Sequence, residues 1–290
     1  MTRYDILTAV PTAFRRDGSL DLEGSRAIFR YVGTSGNEGA FVLGTTGEFP
    51  AIAEDEFTQI VGVALEELSE SMRVIVHVGR PSAYEAVRRV QIARELGARE
   101  FAVLTPYYLS STQDSLYDYF AAVSEAVGDG AMFIYIYPKL SGNTVSPELL
   151  ARLAKLPNVV GAKMSELSLD DIRAYRAVVP AEFVLYTGAD RELVEAGSAG
   201  AQGVVSGVSS VLPKPFRALA AAADSGDAEL LARAQADNVL HTEIFFDTQT
   251  HTGHGLSAEV VINGLYRACA DAPAKFGMTA SLILCFLRHL

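Results

Sequence analysis

Short apolar runs alternate with longer amphipathic segments along most of the chain. Eight runs of four or five mainly apolar residues have the length and the flanking turn residues of buried strands. They lie at 6–10, 40–43, 74–78, 101–104, 132–135, 159–163, 183–186 and 202–205. Between them, apolar positions recur at helical spacing, as in 53–68 and 84–96. The pattern predicts eight strand-then-helix units.

Strict alternation of strand and helix indicates an α/β protein with a parallel sheet. Eight units of roughly 25 to 30 residues favour a (β/α)8 TIM barrel. An open doubly wound sheet is the alternative, but it usually carries a G-x-G-x-x-G after a strand, and the sequence has none. Helical patterns continue at 227–246, 258–270 and 279–290. We therefore predict a barrel over 1–224 and a C-terminal helical extension over 225–290.

Composition and charge exclude several classes of partner. The chain of 290 residues is 49% hydrophobic, enough for a large core, and has a formal net charge of -11, which argues against nucleic acid and acidic membranes as partners. Its two cysteines form neither a disulfide framework nor a metal-ligand spacing, which suggests a reducing compartment. The amino terminus lacks the apolar region of a signal peptide, and no apolar run reaches the ~18 residues of a membrane span. We expect a cytoplasmic protein.

Lys163 ends the sixth predicted strand, in the sequence Val-Val-Gly-Ala-Lys-Met-Ser. Burial disfavours the charged ammonium, so a lysine at such a place can act as a nucleophilic amine toward a carbonyl substrate. The alternative is a side chain whose stem lies on apolar surface while its amine reaches water. Imine chemistry requires neither a metal nor another cofactor, and we expect none.

In a (β/α)8 enzyme the chemistry lies at the carboxyl ends of the strands. The polar or small residues predicted there are Thr45, Thr46, Tyr107, Tyr108, Tyr135, Lys163, Gly188 and Ser206. Each has an ordinary explanation, since a tyrosine at a strand end is often a core aromatic and a Gly-Thr-Thr-Gly loop is often only a turn. Together they fit an imine with a 2-oxo acid, a tyrosine that moves protons and threonines that hold a carboxylate.

Four motifs at these positions resemble those of one family. Gly44 to Glu48 is similar to a carboxylate-binding G-[ST]-T-G-E, Tyr135-x-x-Pro138 to Y-N-x-P, Lys163 to the lysine of G-x-K, and 105–108 to T-P-Y-Y. The chain thereby resembles the class I, Schiff-base pyruvate aldolases of the dihydrodipicolinate synthase and N-acetylneuraminate lyase superfamily.

The resemblance implies a carbon–carbon lyase that acts on pyruvate or another 2-oxo acid. It implies that Lys163 forms the imine and that Tyr135 and Thr46 are catalytic. It implies as well that Tyr108 is catalytic and reaches into a partner subunit's site, so that the active enzyme is a homodimer or homotetramer. Substrate-binding positions implied by the motifs and their neighbours are Thr45, Gly47, Ser165, Gly188, Asp190, Val205 and Ser206.

Departures from the motifs bear on the substrate. Leu140 occupies the place of an arginine that binds a second carboxylate in the synthases, and Ile136 replaces the asparagine of Y-N-x-P. Ser165, Asp190 and Ser206 match positions that bind hydroxylated tails in the lyases. Arg191 stands where sialate lyases have an acid, which argues against sialic acid itself. We predict a 2-keto-3-deoxy sugar acid or another 4-hydroxy-2-oxo acid as substrate. The alternatives are a 4-hydroxy-tetrahydrodipicolinate (dihydrodipicolinate) synthase, an imine-using dehydratase or decarboxylase, and a non-catalytic descendant.

Overall fold

Eight parallel strands close into a barrel in the computed structural model, which describes residues 4–15 and 17–250. Each strand pairs with its neighbours in sequence, and β1 pairs with β8 to close the sheet. The predicted (β/α)8 architecture is confirmed. The strands are β1 Asp5–Ala9, β2 Gly39–Val42, β3 Arg73–His77, β4 Glu100–Leu104, β5 Ala131–Ile136, β6 Val159–Met164, β7 Val184–Thr187 and β8 Gly203–Ser206.

Helices connect the strands and surround the barrel. Several begin at a serine, threonine or aspartate whose side chain accepts from a main-chain amide in the first turn, as Ser82 does from Glu85 N and Thr112 from Ser115 N. The helices are α1 Leu22–Gly33, α2 Glu54–Leu68, α3 Ala83–Glu95, α4 Gln113–Val127, α5 Pro138–Ser141, α6 Pro147–Leu153, α7 Leu169–Val178, α8 Leu193–Ser198, α9 Pro213–Ser225 and α10 Ala228–Thr250. Short 3-10 helices lie at Phe49–Ala51 and Val208–Ser210.

The strand register places residues of the candidate site side by side on neighbouring strands. Tyr135 on β5 is paired with Lys163 on β6, and Lys163 is paired with Tyr186 on β7. Gly161 permits this close packing, because a Cβ there would lie 2.5 Å from the Val184 carbonyl oxygen. The apolar strand residues are buried almost throughout, so the barrel interior is a packed core.

The C-terminal extension is described only in its first part. The helix predicted at 227–246 is present as α10, which packs against α9. The helices predicted at 258–270 and 279–290 lie outside the described residues, so the division at residue 224 stays a prediction. Within residues 4–15 and 17–250, no helix combines the length and the apolar character needed to cross a membrane.

Candidate active site

A cavity of about 900 Å³ opens at the carboxyl end of the barrel strands. It is the place where a (β/α)8 fold carries its chemistry. Eight of the residues predicted for the site line it, and they come from the ends of β2, β5, β6, β7 and β8 or the loops that follow. These residues are Thr45, Thr46, Tyr135, Lys163, Ser165, Gly188, Asp190 and Val205.

Lys163 is the buried amine of this cavity. Its residue is 6% exposed, and Nζ lies 4.0 Å from the centre of the Tyr135 ring and 4.9 Å from that of Phe41. The amine therefore lies between aromatic faces rather than in bulk water. This position does not fit a lysine that extends to solvent, the alternative considered from the sequence.

Tyr135 is fully buried, and its hydroxyl lies 2.9 Å from Oγ1 of Thr45. Either hydroxyl can donate in this pair, so the two can pass a proton between them. The edge-on contacts of the Tyr135 ring with Phe41 and His77 fix its plane. The geometry favours Thr45 as the relay hydroxyl. The catalytic role assigned to Thr46 from the motif stays a prediction.

The turn that carries both threonines has an unusual backbone. Leu43 before it and Glu48 after it have positive φ, 58° and 51°, a conformation that non-glycine residues adopt rarely. Gly47 allows the turn to close, since a Cβ there would lie 2.9 Å from the Leu43 Cα. Its carbonyl accepts from Oγ1 of Thr12 at 2.9 Å. Gly47 thus shapes the turn and does not line the cavity.

Three residues that the sequence analysis did not place in the site form what we call the mouth cluster: Tyr137, Lys139 and Glu166. The Tyr137 hydroxyl donates to Oε1 of Glu166 at 2.6 Å, and Nζ of Lys139 lies 2.6 Å from Oε2. These partners, Lys139 first, lower the pKa of the Glu166 carboxyl. Lys139 lies in α5, which Pro138 begins and Gly142, with φ 75°, ends.

Leu140 also lines the cavity and is 55% exposed. Its neighbour Lys139 is paired with Glu166, and Arg191 lies 4.0 Å from Glu243 of α10. Both cations therefore lie close to a carboxylate of this chain. Lys214 is exposed in the first turn of α9 and does not line the cavity.

Like Gly47, the predicted residues Tyr107, Tyr108 and Ser206 do not line the cavity of this chain. Tyr108 is 92% exposed and has φ 81°, so its side chain stands away from the barrel. Ser206 is fully buried, and its Oγ accepts from the Ser209 amide at 2.8 Å, which caps the turn after β8. Contact of Tyr108 or Ser206 with substrate stays a prediction.

A family model described as the dihydrodipicolinate synthetase family matches residues 3–263. This chain belongs to that family. The family's members are pyruvate-dependent lyases or aldolases that use a lysine Schiff base, and the chain is an enzyme of this class. The family and enzyme class expected from the motifs are thereby confirmed.

Relatives of this family resemble the chain over most of its length. The 4-hydroxy-tetrahydrodipicolinate synthase of Methylococcus capsulatus is 32% identical, covering 83% of each chain. That of Synechococcus elongatus is also 32% identical, covering 83% of this chain and 78% of its own. A solved monomeric variant of dihydrodipicolinate synthase is 30% identical with a TM-score of 0.83, covering 99% of this chain and 96% of its own.

Proposed function

We propose that Lys163 forms an imine with pyruvate and that the enzyme joins the resulting enamine to a hydroxylated aldehyde, or cleaves the product. The product is a 4-hydroxy-2-oxo acid, such as a 2-keto-3-deoxy sugar acid. The observation that carries the proposal is the buried Lys163 amine 4.0 Å from the ring of Tyr135, whose hydroxyl is bonded to Thr45.

The chemistry follows from this arrangement. Nζ of Lys163 adds to C2 of pyruvate, and the C2 oxygen leaves as water after Tyr135 delivers a proton. Loss of a proton from C3 gives the enamine, and C3 then bonds to the aldehyde carbon while the aldehyde oxygen gains a proton. Water hydrolyses the product imine and restores the amine. Thr45 relays protons to and from Tyr135.

The threonine turn supplies the positional part of the rate gain. Thr45 and Thr46 line the cavity beside Tyr135, where their hydroxyls and amides can hold the pyruvate carboxylate. An anchored carboxylate leaves the carbonyl carbon facing the amine, which replaces an encounter in solution by a reaction within one complex.

The rim of the cavity favours an aldehyde without a second carboxylate. Leu140 has no cationic group, and the nearby Lys139 is already bonded to Glu166. A second candidate is 4-hydroxy-tetrahydrodipicolinate synthase, because the relatives at 32% identity carry that name. We rank it lower because condensation with aspartate semialdehyde would leave the second carboxylate without a guanidinium partner at position 140.

Imine trapping tests the proposal directly. Pyruvate is added, borohydride reduces any imine, and peptide mapping locates the added mass. The adduct should lie on Lys163 in the native enzyme and in Lys139→Ala, and it should be absent from Lys163→Ala. An adduct only on Lys139 or Lys214, or none at all, contradicts the mechanism.

An aldehyde panel then ranks the two candidate functions. Pyruvate is offered with glyceraldehyde, erythrose and aspartate semialdehyde, and kcat/KM is measured for each. We expect the hydroxylated aldehydes to react best. A higher kcat/KM for aspartate semialdehyde than for every hydroxylated aldehyde supports the synthase instead.

A further inference from the structure

The backbone conformation after β6 places Glu166 in the cavity mouth. It follows β6 by two residues and lines the same cavity as Lys163, three residues earlier. Its φ of 51° is left-handed, a conformation more readily taken by glycine or asparagine. Glu166 thus brings a carboxylate to the mouth at the expense of backbone strain.

The carboxylate is held in one orientation while keeping acceptor capacity. Tyr137 donates to one oxygen and Lys139 to the other, both at 2.6 Å. An ionised carboxylate offers about four lone-pair sites, so two donors leave others available to a ligand. Glu166 is half-exposed, and the Tyr137 ring lies 6.3 Å from that of Tyr135. The fixed acceptor therefore lies one side chain away from the reacting centre.

The charges of the side chains that line the cavity also bear on which aldehydes can enter it. Among the described residues that line the cavity, the acidic ones outnumber the basic ones by four to three. They are Glu48, Glu166, Asp190 and Glu192 against Lys139, Lys163 and Arg191. In the proposed imine the positive charge on Lys163 would be offset by the carboxylate of its own pyruvate, and Lys139 is paired with Glu166. An approaching anion thus meets no unopposed positive charge from these two lysines.

We propose that Glu166, oriented by Tyr137 and Lys139, selects the acceptor aldehyde. It accepts hydrogen bonds from the hydroxyl groups of a neutral polyhydroxylated aldehyde and repels an aldehyde that carries a carboxylate. The inference rests on the proposed function and deepens it, since it names the side chain that distinguishes between acceptors. Tyr137 and Lys139 are positioning residues in this scheme.

The test compares three aldehydes on Glu166→Gln, which keeps the shape and removes the charge. Glyceraldehyde offers hydroxyl groups, propionaldehyde has the same carbon count without them, and succinic semialdehyde carries a carboxylate. We expect kcat/KM to fall about tenfold for glyceraldehyde, to stay nearly constant for propionaldehyde and to rise severalfold for succinic semialdehyde. Tyr137→Phe should give a smaller loss confined to glyceraldehyde.

Two controls separate the explanations. Glu182→Gln removes the same charge just before the amino-terminal end of β7, away from the cavity. It should leave kcat/KM unchanged for all three aldehydes. Borohydride trapping of pyruvate should be equal in the native enzyme and Glu166→Gln. An equal fall for glyceraldehyde and propionaldehyde, or no change for either, overturns the role of Glu166. A native enzyme that traps no pyruvate on Lys163 overturns the proposed function instead.

Discussion

The imidazole Nδ1 of His77 lies 2.9 Å from the main-chain carbonyl oxygen of Leu43. The ring's Nε2 accepts from the Leu104 amide at 3.3 Å, so Nδ1 carries the proton and donates to Leu43. Leu43 is the left-handed residue that starts the threonine turn. One buried side chain on β3 therefore links the ends of β2 and β4 and supports the turn that presents Thr45.

His77 should make stability depend on pH. Its burial lowers the pKa to about 3, whereas an unfolded histidine titrates at its ordinary value near 6.5. Between pH 6.5 and 3 the unfolded chain therefore binds a proton at His77 that the folded chain does not bind. The contribution of the neutral His77 to the free energy of unfolding is lost as pH falls from about 6.5 toward 3. The expected slope from this group is about 1.4 kcal/mol per pH unit.

Urea unfolding at several pH values measures this slope. His77→Gln should unfold more easily at pH 8, by about 1 to 3 kcal/mol, because the ring contacts of the imidazole with Phe49 and Tyr135 are lost. Its loss of stability between pH 6.5 and 4 should be shallower than that of the native enzyme. Equal slopes would contradict the role assigned to His77.

Thr45 and Thr46 should fail in different ways. Thr45→Val removes the hydroxyl bonded to Tyr135, so kcat should fall about 100-fold and trapping of the imine should slow. Thr46→Val should chiefly raise KM for pyruvate. Steady-state kinetics with single-turnover borohydride trapping distinguish the two, and thermal melting checks that both variants are folded. The reverse pattern would restore Thr46 as the catalytic hydroxyl.

Leu140→Arg should open the enzyme to anionic aldehydes. A guanidinium at the rim offers a charge-assisted pair to a second carboxylate, so kcat/KM for aspartate semialdehyde should rise about tenfold. Glyceraldehyde should gain nothing. Leu140→Met changes shape without adding charge and serves as the matched control; a rise in both variants would show that size, not charge, excludes the anion.

Tyr108 should act on a neighbouring subunit. We expect sedimentation velocity at micromolar concentration to show a dimer or a tetramer. Tyr108→Phe should keep that assembly and lower turnover. The Tyr108 side chain is 92% exposed in one chain and contributes nothing to that chain's own cavity, so we expect the loss to arise in the cavity of the neighbouring subunit. A fully active monomer would contradict this prediction.

The sequence reveals features whose cause is local. Apolar runs predicted the strands because a buried parallel strand is apolar on both faces, and Lys163 followed from its place at the end of one. The mouth cluster was not predictable in this way. Tyr137 and Glu166 are separated by 29 residues and meet only because β5 and β6 are neighbours. Neither has a periodicity or a spacing that marks it.

The choice between Thr45 and Thr46 shows the same limit. Both stand in one motif, and only the bend at Leu43 and Glu48 decides which hydroxyl reaches Tyr135. Helix α5 was likewise hidden, since a proline and three further residues followed by a glycine look like a turn. Such short segments take their conformation from what surrounds them.

The left-handed backbone conformation of Glu166 lowers the thermal stability of the enzyme, whereas the Glu166 side chain supports the choice of acceptor aldehyde. A side chain in that conformation costs the folded state about 1 to 2 kcal/mol, and glycine relieves the strain. Laboratory evolution for survival at high temperature alone should therefore enrich Glu166→Gly. The more thermostable variants obtained in this way should be less specific and should join pyruvate to a broader range of acceptor aldehydes.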